Sequence, residues 1–153
     1  MSTPPPSGDA LGLPVPQPDE ISRPFFEGAE HGELRLQRCC ACGAWHLGAR
    51  RCDQCSGADL QWTQVSGRGK VYSFVIVHQQ YHPAVAHRLP YNVAIVETEE
   101  GPRLPANIIG VGRDELQVGM PVSVVFERVS DTTWIPRFRP DPTAHLDEAE
   151  QQG

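Results

Sequence analysis

A chain of 153 residues, 39% hydrophobic and 21% charged, holds one ordinary domain or two very small ones. Its apolar runs are far shorter than the roughly 20 residues of a membrane span, and it shows no secretory signal, so a soluble, cytoplasmic protein with no membrane partner is expected. The net charge of −6 sits in the ends, with three acids in residues 1–20 and four in 141–153 and no base in either; the nearly neutral middle gives no support to non-specific nucleic-acid binding.

Residues 1–20 contain six of the 15 prolines, and 1–21 reads as a disordered tail because proline removes backbone donors and favours extended chain. Ser22 is a candidate N-cap in front of Pro24, which opens a short helix carrying Phe25 and Phe26 and ending near Gly28 and Gly32. Adjacent helical side chains point about 100° apart, so a short helix cannot tuck both rings against one small body. At least one is expected to be left exposed unless a second protein or the ribbon covers it. Leu34 and Leu36 then alternate with Arg35 and Gln37 as a strand running into the cysteines.

Cys39, Cys42, Cys52 and Cys55 form two C-x2-C pairs nine residues apart. Two tight turns of this kind can place four sulfurs around one zinc ion, at about 2.3 Å each. Disulfides are the competing reading, but paired spacing in an intracellular chain favours the metal. Four thiolates leave no position for water, so one structural zinc per chain is expected. Cys40 and His46 are left without a ligand role.

Beyond Cys55 the pattern is strand after strand. Gly69–His78 is apolar on both parities, with Val71, Val75 and Val77 on one and Tyr72, Phe74 and Ile76 on the other, as expected of a strand buried on both faces. Tyr91–Thr98 and Arg103–Ile109 suggest a hairpin, and Pro121–Val129 and Thr133–Arg139 two more strands, the last an edge because of Pro136. Five short strands within 64–140 suit an OB-fold barrel, with a small SH3-like barrel as the alternative. Residues 141–153 read as a disordered acidic tail.

Three further groups could bind a ligand. Gly67-Arg68-Gly69-Lys70 lacks the third glycine of a dinucleotide fingerprint and is followed by a β-rich run, so its glycines read as a turn into the barrel; Arg68 and Lys70 could still meet a phosphate. Arg137-Phe138-Arg139 combines a ring with two cations, suited to stacking on adenine and pairing with phosphate; alternatively Phe138 closes the barrel and the arginines are solvated. His78, Tyr81, His82 and His87 lie in the loop between the first two barrel strands, at a usual OB binding edge, and Asn107 reads as a local hydrogen-bonder. No nucleophile paired with a base is visible.

Arg38-Cys39-x-x-Cys42-Gly43, Cys52-x-x-Cys55, Ser66-Gly67-Arg68-Gly69-Lys70-Val71-Tyr72-Ser73-Phe74, Val118-Gly119-Met120-Pro121-Val122 and Pro136-Arg137-Phe138-Arg139-Pro140 occur in that order. Together, over roughly 22–140, they resemble a zinc-ribbon plus OB-fold family long labelled a domain of unknown function and associated with acyl-CoA metabolism. The resemblance implies a mostly β protein: an N-terminal helix and rubredoxin-like ribbon over 22–63, then a five-stranded OB barrel over 64–140. It also implies a non-catalytic accessory subunit of a thiolase-superfamily enzyme, such as a sterol side-chain aldolase or an acyltransferase, that helps accommodate acyl-CoA. Within that expectation Arg68, Lys70, Arg137, Phe138 and Arg139 are candidate acyl-CoA contacts, and Phe25 and Phe26 candidate interface residues. A single-stranded nucleic-acid-binding ribbon/OB module is the alternative.

Overall fold

The computed structural model describes residues 16–79 and 90–141. One helix, α1 (Arg23–Glu30), precedes a three-stranded sheet of β1 (Arg35–Cys39), β2 (Trp45–His46) and β3 (Leu60–Gln64) in the order β2-β1-β3. The second sheet holds β4 (Arg68–Val77), β5 (Tyr91–Thr98), β6 (Arg103–Ala106), β7 (Pro121–Arg128) and β8 (Trp134–Pro140), ordered β6-β5-β4-β7-β8. The described residues are therefore mostly β, with one short helix.

The start of α1 differs from expectation. Ser22 occupies the N-cap, but its side chain caps no helical N–H. Asp19 and Ser22 instead lock each other: Asp19 Oδ1 accepts from the Ser22 and Ile21 amides at 2.7 and 3.0 Å, and the Asp19 amide donates to Ser22 Oγ at 3.0 Å. The Ser22 backbone and hydroxyl bonds hold the Asp19 carboxyl below its usual range.

The five-stranded sheet curls until its ends meet. Every ladder in it is antiparallel, and a parallel bridge between Ile108 and Phe138 joins the segment after β6 to β8. The Ile109 amide donates to the Phe138 carbonyl at 2.8 Å, and the Phe138 amide to the Asn107 carbonyl at 3.1 Å. A three-strand meander closed through its third and fifth strands is the partly open Greek-key arrangement of an OB-fold. Val71, Val96, Leu104, Val122 and Phe138 fill its interior.

The expected two-sided burial of the first barrel strand is replaced by a bulge. Pairing of β4 with β5 slips between Val71 and Ser73, so Val71 points inward before it and Phe74 and Ile76 after it. An extra residue exchanges the faces of everything that follows. Tyr72 and Val75 are consequently exposed, at 46% and 61%. Tyr72 and Phe74 do not share a face: Phe74 packs against the core, while the Arg103 guanidinium covers the Tyr72 ring at 3.7 Å. The hairpin partner is shorter than expected, with β6 ending at Ala106. Asn92 takes over where it stops, its Nδ2 donating to the Ile108 carbonyl at 2.8 Å and its Oδ1 accepting from the Ile108 amide at 2.7 Å.

Candidate functional site

The two cysteine turns are built alike. The Cys39 amide donates to the Ala44 carbonyl and the Cys52 amide to the Gly57 carbonyl, each at 2.8 Å; Gly43 returns a bond to Cys39 and Ser56 to Cys52, each at 2.9 Å. These loops gather the four sulfurs within 4.8 Å of one another, with Cys39–Cys55 and Cys42–Cys52 at 3.5 Å. A tetrahedral zinc with bonds of about 2.3 Å spaces its sulfurs by about 3.8 Å, so the cluster fits such an ion.

Backbone N–H groups converge on the same sulfurs. Ala41 and Cys42 point at Cys39, Ala44 at Cys42 and Gly57 at Cys55, while the Gln54 amide lies 3.4 Å from Cys52 Sγ. Amides aimed at sulfur stabilise thiolates. The Cys42 and Ala41 amides bring the Cys39 thiol down to about 7. For Cys42, the Ala44 amide pulls the same way, but the crowded neighbouring thiols push it up to about 12. One cation among the four sulfurs relieves that crowding, and this charge arrangement is the chemical argument for a metal here.

His46 lies beside the cluster, with Nε2 3.3 Å from Cys52 Sγ and Nδ1 3.7 Å from Asp53 Oδ1. Thiol, imidazole and carboxylate in that order imitate a nucleophilic triad. Cys52 is only 2% exposed and its sulfur faces Cys42, so it offers a substrate no line of attack. Cys40 is exposed and stands outside the four-sulfur cluster; partial desolvation of its sulfur and the nearby Asp59 raise its thiol above the usual range.

A second feature joins all three parts of the molecule. A cleft of about 650 Å³ lies between α1, the ribbon and the barrel, and Phe25, Phe26, Trp62, Tyr91, Val93 and Ile135 form much of its wall. Phe25 meets Phe26 edge-on at 5.3 Å and approaches Trp62 at 6.3 Å. Both phenylalanines are half-buried, and Phe25 also packs against the barrel core. The ribbon thus covers Phe25 in part, as the expectation allowed, and Phe26 leans on Phe25, so both rings stay half-exposed.

The polar end of the cleft holds Arg137 and Asn107. Arg137 Nε donates to Glu127 Oε2 at 2.8 Å, Nη1 donates to Asn107 Oδ1, and the Asn107 amide donates to the Asn92 carbonyl. Asn107 is thus part of a chain running across the barrel. Trp62, Tyr91 and Asn92 carried no signal in the sequence, because the cleft is assembled from segments far apart in the chain.

The other candidate residues lie elsewhere. Phe138 is fully buried, with no open ring face for stacking on a base. Arg68 faces Glu99 at 3.4 Å, both exposed, exposed Lys70 faces half-buried Glu97 at 3.8 Å, and neither cation lines the cleft. Register places Arg68 and Arg139 on either side of Ser123, on one sheet face. Gly67 enters β4 at φ 78°, and a Cβ there would lie 2.6 Å from Val124, so this glycine serves the turn. His78 is exposed; Tyr81, His82 and His87 lie outside the described residues. Among the described residues no helix is long and apolar enough to cross a membrane.

A ribbon whose cysteines could hold a metal, joined to an OB barrel, defines a two-module β protein. Residues 62–127 match the family model described as ChsH2, C-terminal OB-fold domain. A solved structure described as an Ltp2–ChsH2(DUF35) aldolase superposes with a TM-score of 0.74 at 34% identity, covering 82% of this chain and 98% of that one. A DUF35 domain-containing scaffold protein of Methanocaldococcus jannaschii is 32% identical over 61% of this chain and 67% of its own length. The chain belongs to the DUF35 family.

Two longer relatives carry enzyme names. A probable enoyl-CoA hydratase alpha subunit of Thermomonospora curvata is 37% identical over 76% of this chain, and a 3-oxo-4,17-pregnadiene-20-carboxyl-CoA hydratase alpha subunit of Mycobacterium tuberculosis is 30% identical over 79%. The matched region spans only 36% and 41% of their lengths.

Proposed function

We propose that this chain is an accessory subunit of a thiolase-like enzyme acting on acyl-CoA, with an aldolase of steroid side-chain degradation the best-supported partner. The single observation that carries the reading is the superposition on the Ltp2–ChsH2(DUF35) aldolase, which covers 98% of that chain. The acyl-CoA names of the longer relatives point to the same substrate class.

The reading is non-catalytic. Among the described residues, the thiol–imidazole–carboxylate row is committed to the sulfur cluster, and carbon–carbon bond chemistry falls to the partner. Cys39, Cys42, Cys52 and Cys55 would hold one zinc ion, whose contribution when bound is to clamp the two turns together. Phe25 and Phe26, at the rim between helix and ribbon, are the proposed interface residues. Arg68, Lys70 and Arg139 are the exposed cations available to CoA phosphates, although Arg68 and Lys70 already face carboxylates.

The test is co-expression with a thiolase-like protein from the same host. Stable co-purification, with thioester turnover by the complex and none by this chain alone, supports the assignment. Turnover by the isolated chain, or its failure to associate with any such enzyme, overturns it. The nucleic-acid alternative predicts tight, salt-sensitive binding of a single-stranded oligonucleotide. It is disfavoured because the bulge separates Tyr72 from Phe74 and acids flank the cations of β4.

A further inference from the structure

We propose that the cleft between helix, ribbon and barrel binds the apolar acyl portion of the thioester as a fused-ring body, and that Arg137 holds a keto oxygen on it. The proposal rests on the acyl-CoA reading above and adds which part of the substrate this chain touches.

Volume and wall chemistry select the body. About 650 Å³ lies in the middle of the range that encloses a drug-sized molecule. Phe25, Phe26, Trp62 and Tyr91 present flat aromatic surfaces, which suit a rigid polycyclic ligand better than a single flexible chain. Among the described residues the wall has no free cation to match the phosphates of CoA. Arg68 and Lys70 lie outside it, so the nucleotide end of the thioester belongs elsewhere.

The polar end selects the functional group. The Arg137 side chain is 12% exposed and cannot be deprotonated, so its donors need acceptors. Nε donates to Glu127 and one N–H of Nη1 to Asn107; among the described residues Nη2 meets no protein acceptor and is not sealed from solvent, so a ligand can reach it. Because Glu127 already balances the charge, the missing partner is a neutral acceptor such as a ketone, without need of a second carboxylate. Asn107 fixes the guanidinium while its own amide is held by Asn92. The donor is thereby oriented before a ligand arrives.

The experiment titrates the full zinc-loaded chain with androst-4-en-3-one, a steroid whose single ketone is at C3, and with its 3-deoxy analogue androst-4-ene, which has no oxygen, following tryptophan fluorescence. Saturable binding of the ketone, with the deoxy compound about ten- to a hundred-fold weaker, is expected for one lost charge-assisted bond. Arg137→Leu should erase that preference while leaving binding of the deoxy compound. Val93→Trp, which adds bulk at a cleft residue outside the Arg137 hydrogen-bond chain, should abolish binding of both. Equal affinity for the two steroids in the unmodified chain, or no saturable binding, overturns the proposal. Co-purification with the partner enzyme is read separately: a complex without keto preference refutes only the ligand assignment, whereas keto-selective binding without a complex refutes the accessory-subunit reading.

Discussion

Gly43 and Ser56 occupy the same place in the two cysteine turns, each one residue after the second cysteine of its pair and each at positive φ, 77° and 62°. The turn requires that conformation because the residue must send its amide back to the first cysteine while the chain reverses. Glycine adopts it freely, whereas a side chain costs about 1–2 kcal/mol there. The second turn therefore carries strain that the first avoids. Ser56→Gly is expected to gain about 0.5–1 kcal/mol after the entropy of the freer unfolded chain is subtracted. Zinc competition against a chromogenic chelator should show affinity rising, and Gly43→Ala should lower it.

The metal itself is tested by removing one sulfur. Cys52→Ser should reduce zinc from one ion per chain to nearly none by elemental analysis. Structural zinc in small modules contributes on the order of 10–16 kcal/mol, so β1–β3 should lose their dispersed amide resonances. The barrel should keep its own, since Val71, Val96, Val122 and Phe138 form a core that includes no cysteine. Full metal content in the variant would refute the four-cysteine assignment.

The phenylalanine pair separates into two roles. Phe25 packs on the barrel core and approaches Trp62, while Phe26 touches Phe25 from the cleft side. Phe25→Ser should destabilise the chain by about 2–3 kcal/mol in urea denaturation, below the about 3–5 kcal/mol of a fully buried ring because the site is half-exposed. Phe26→Ser should cost less stability and be read mainly in partner affinity, dropping about tenfold or more if the ring is an anchor. Equal destabilisation by both would place Phe26 in the core as well.

What could be read from the sequence divides along the distance over which contacts form. The sulfur cluster was legible because each C-x2-C pair sits on one local turn. The strands 91–98 and 121–128 were legible because their turns and apolar runs are local too. The β4 bulge was not, since the residues around Tyr72 are apolar on both parities and the pattern does not say where an extra residue enters. The cleft was least legible. Phe25, Trp62, Tyr91 and Arg137 come from four elements whose meeting depends on how α1 and the ribbon seat on the barrel. Arg137 and Phe138 read as one motif, yet strand alternation sends Phe138 into the core and Arg137 to the cleft.

Asn92 is the residue whose importance the sequence hid most completely. Its side-chain amide serves as one more rung of the β5–β6 ladder, pairing both backbone groups of Ile108 after the strand has ended. Ile108 is 2% exposed and bridges to Phe138, so this rung holds the closing segment of the barrel. Truncation by Asn92→Ala leaves a buried N–H and a buried C=O without partners, each worth about 1–3 kcal/mol. A loss of about 2–4 kcal/mol in the urea-derived unfolding free energy is expected. Asn92→Asp keeps the acceptor for the Ile108 amide but turns a second oxygen toward the Ile108 carbonyl, so it should be at least as damaging at pH 7 and recover partly as the carboxyl protonates below about pH 4. An alanine variant as stable as the parent would mean that the barrel is closed by β8 packing alone.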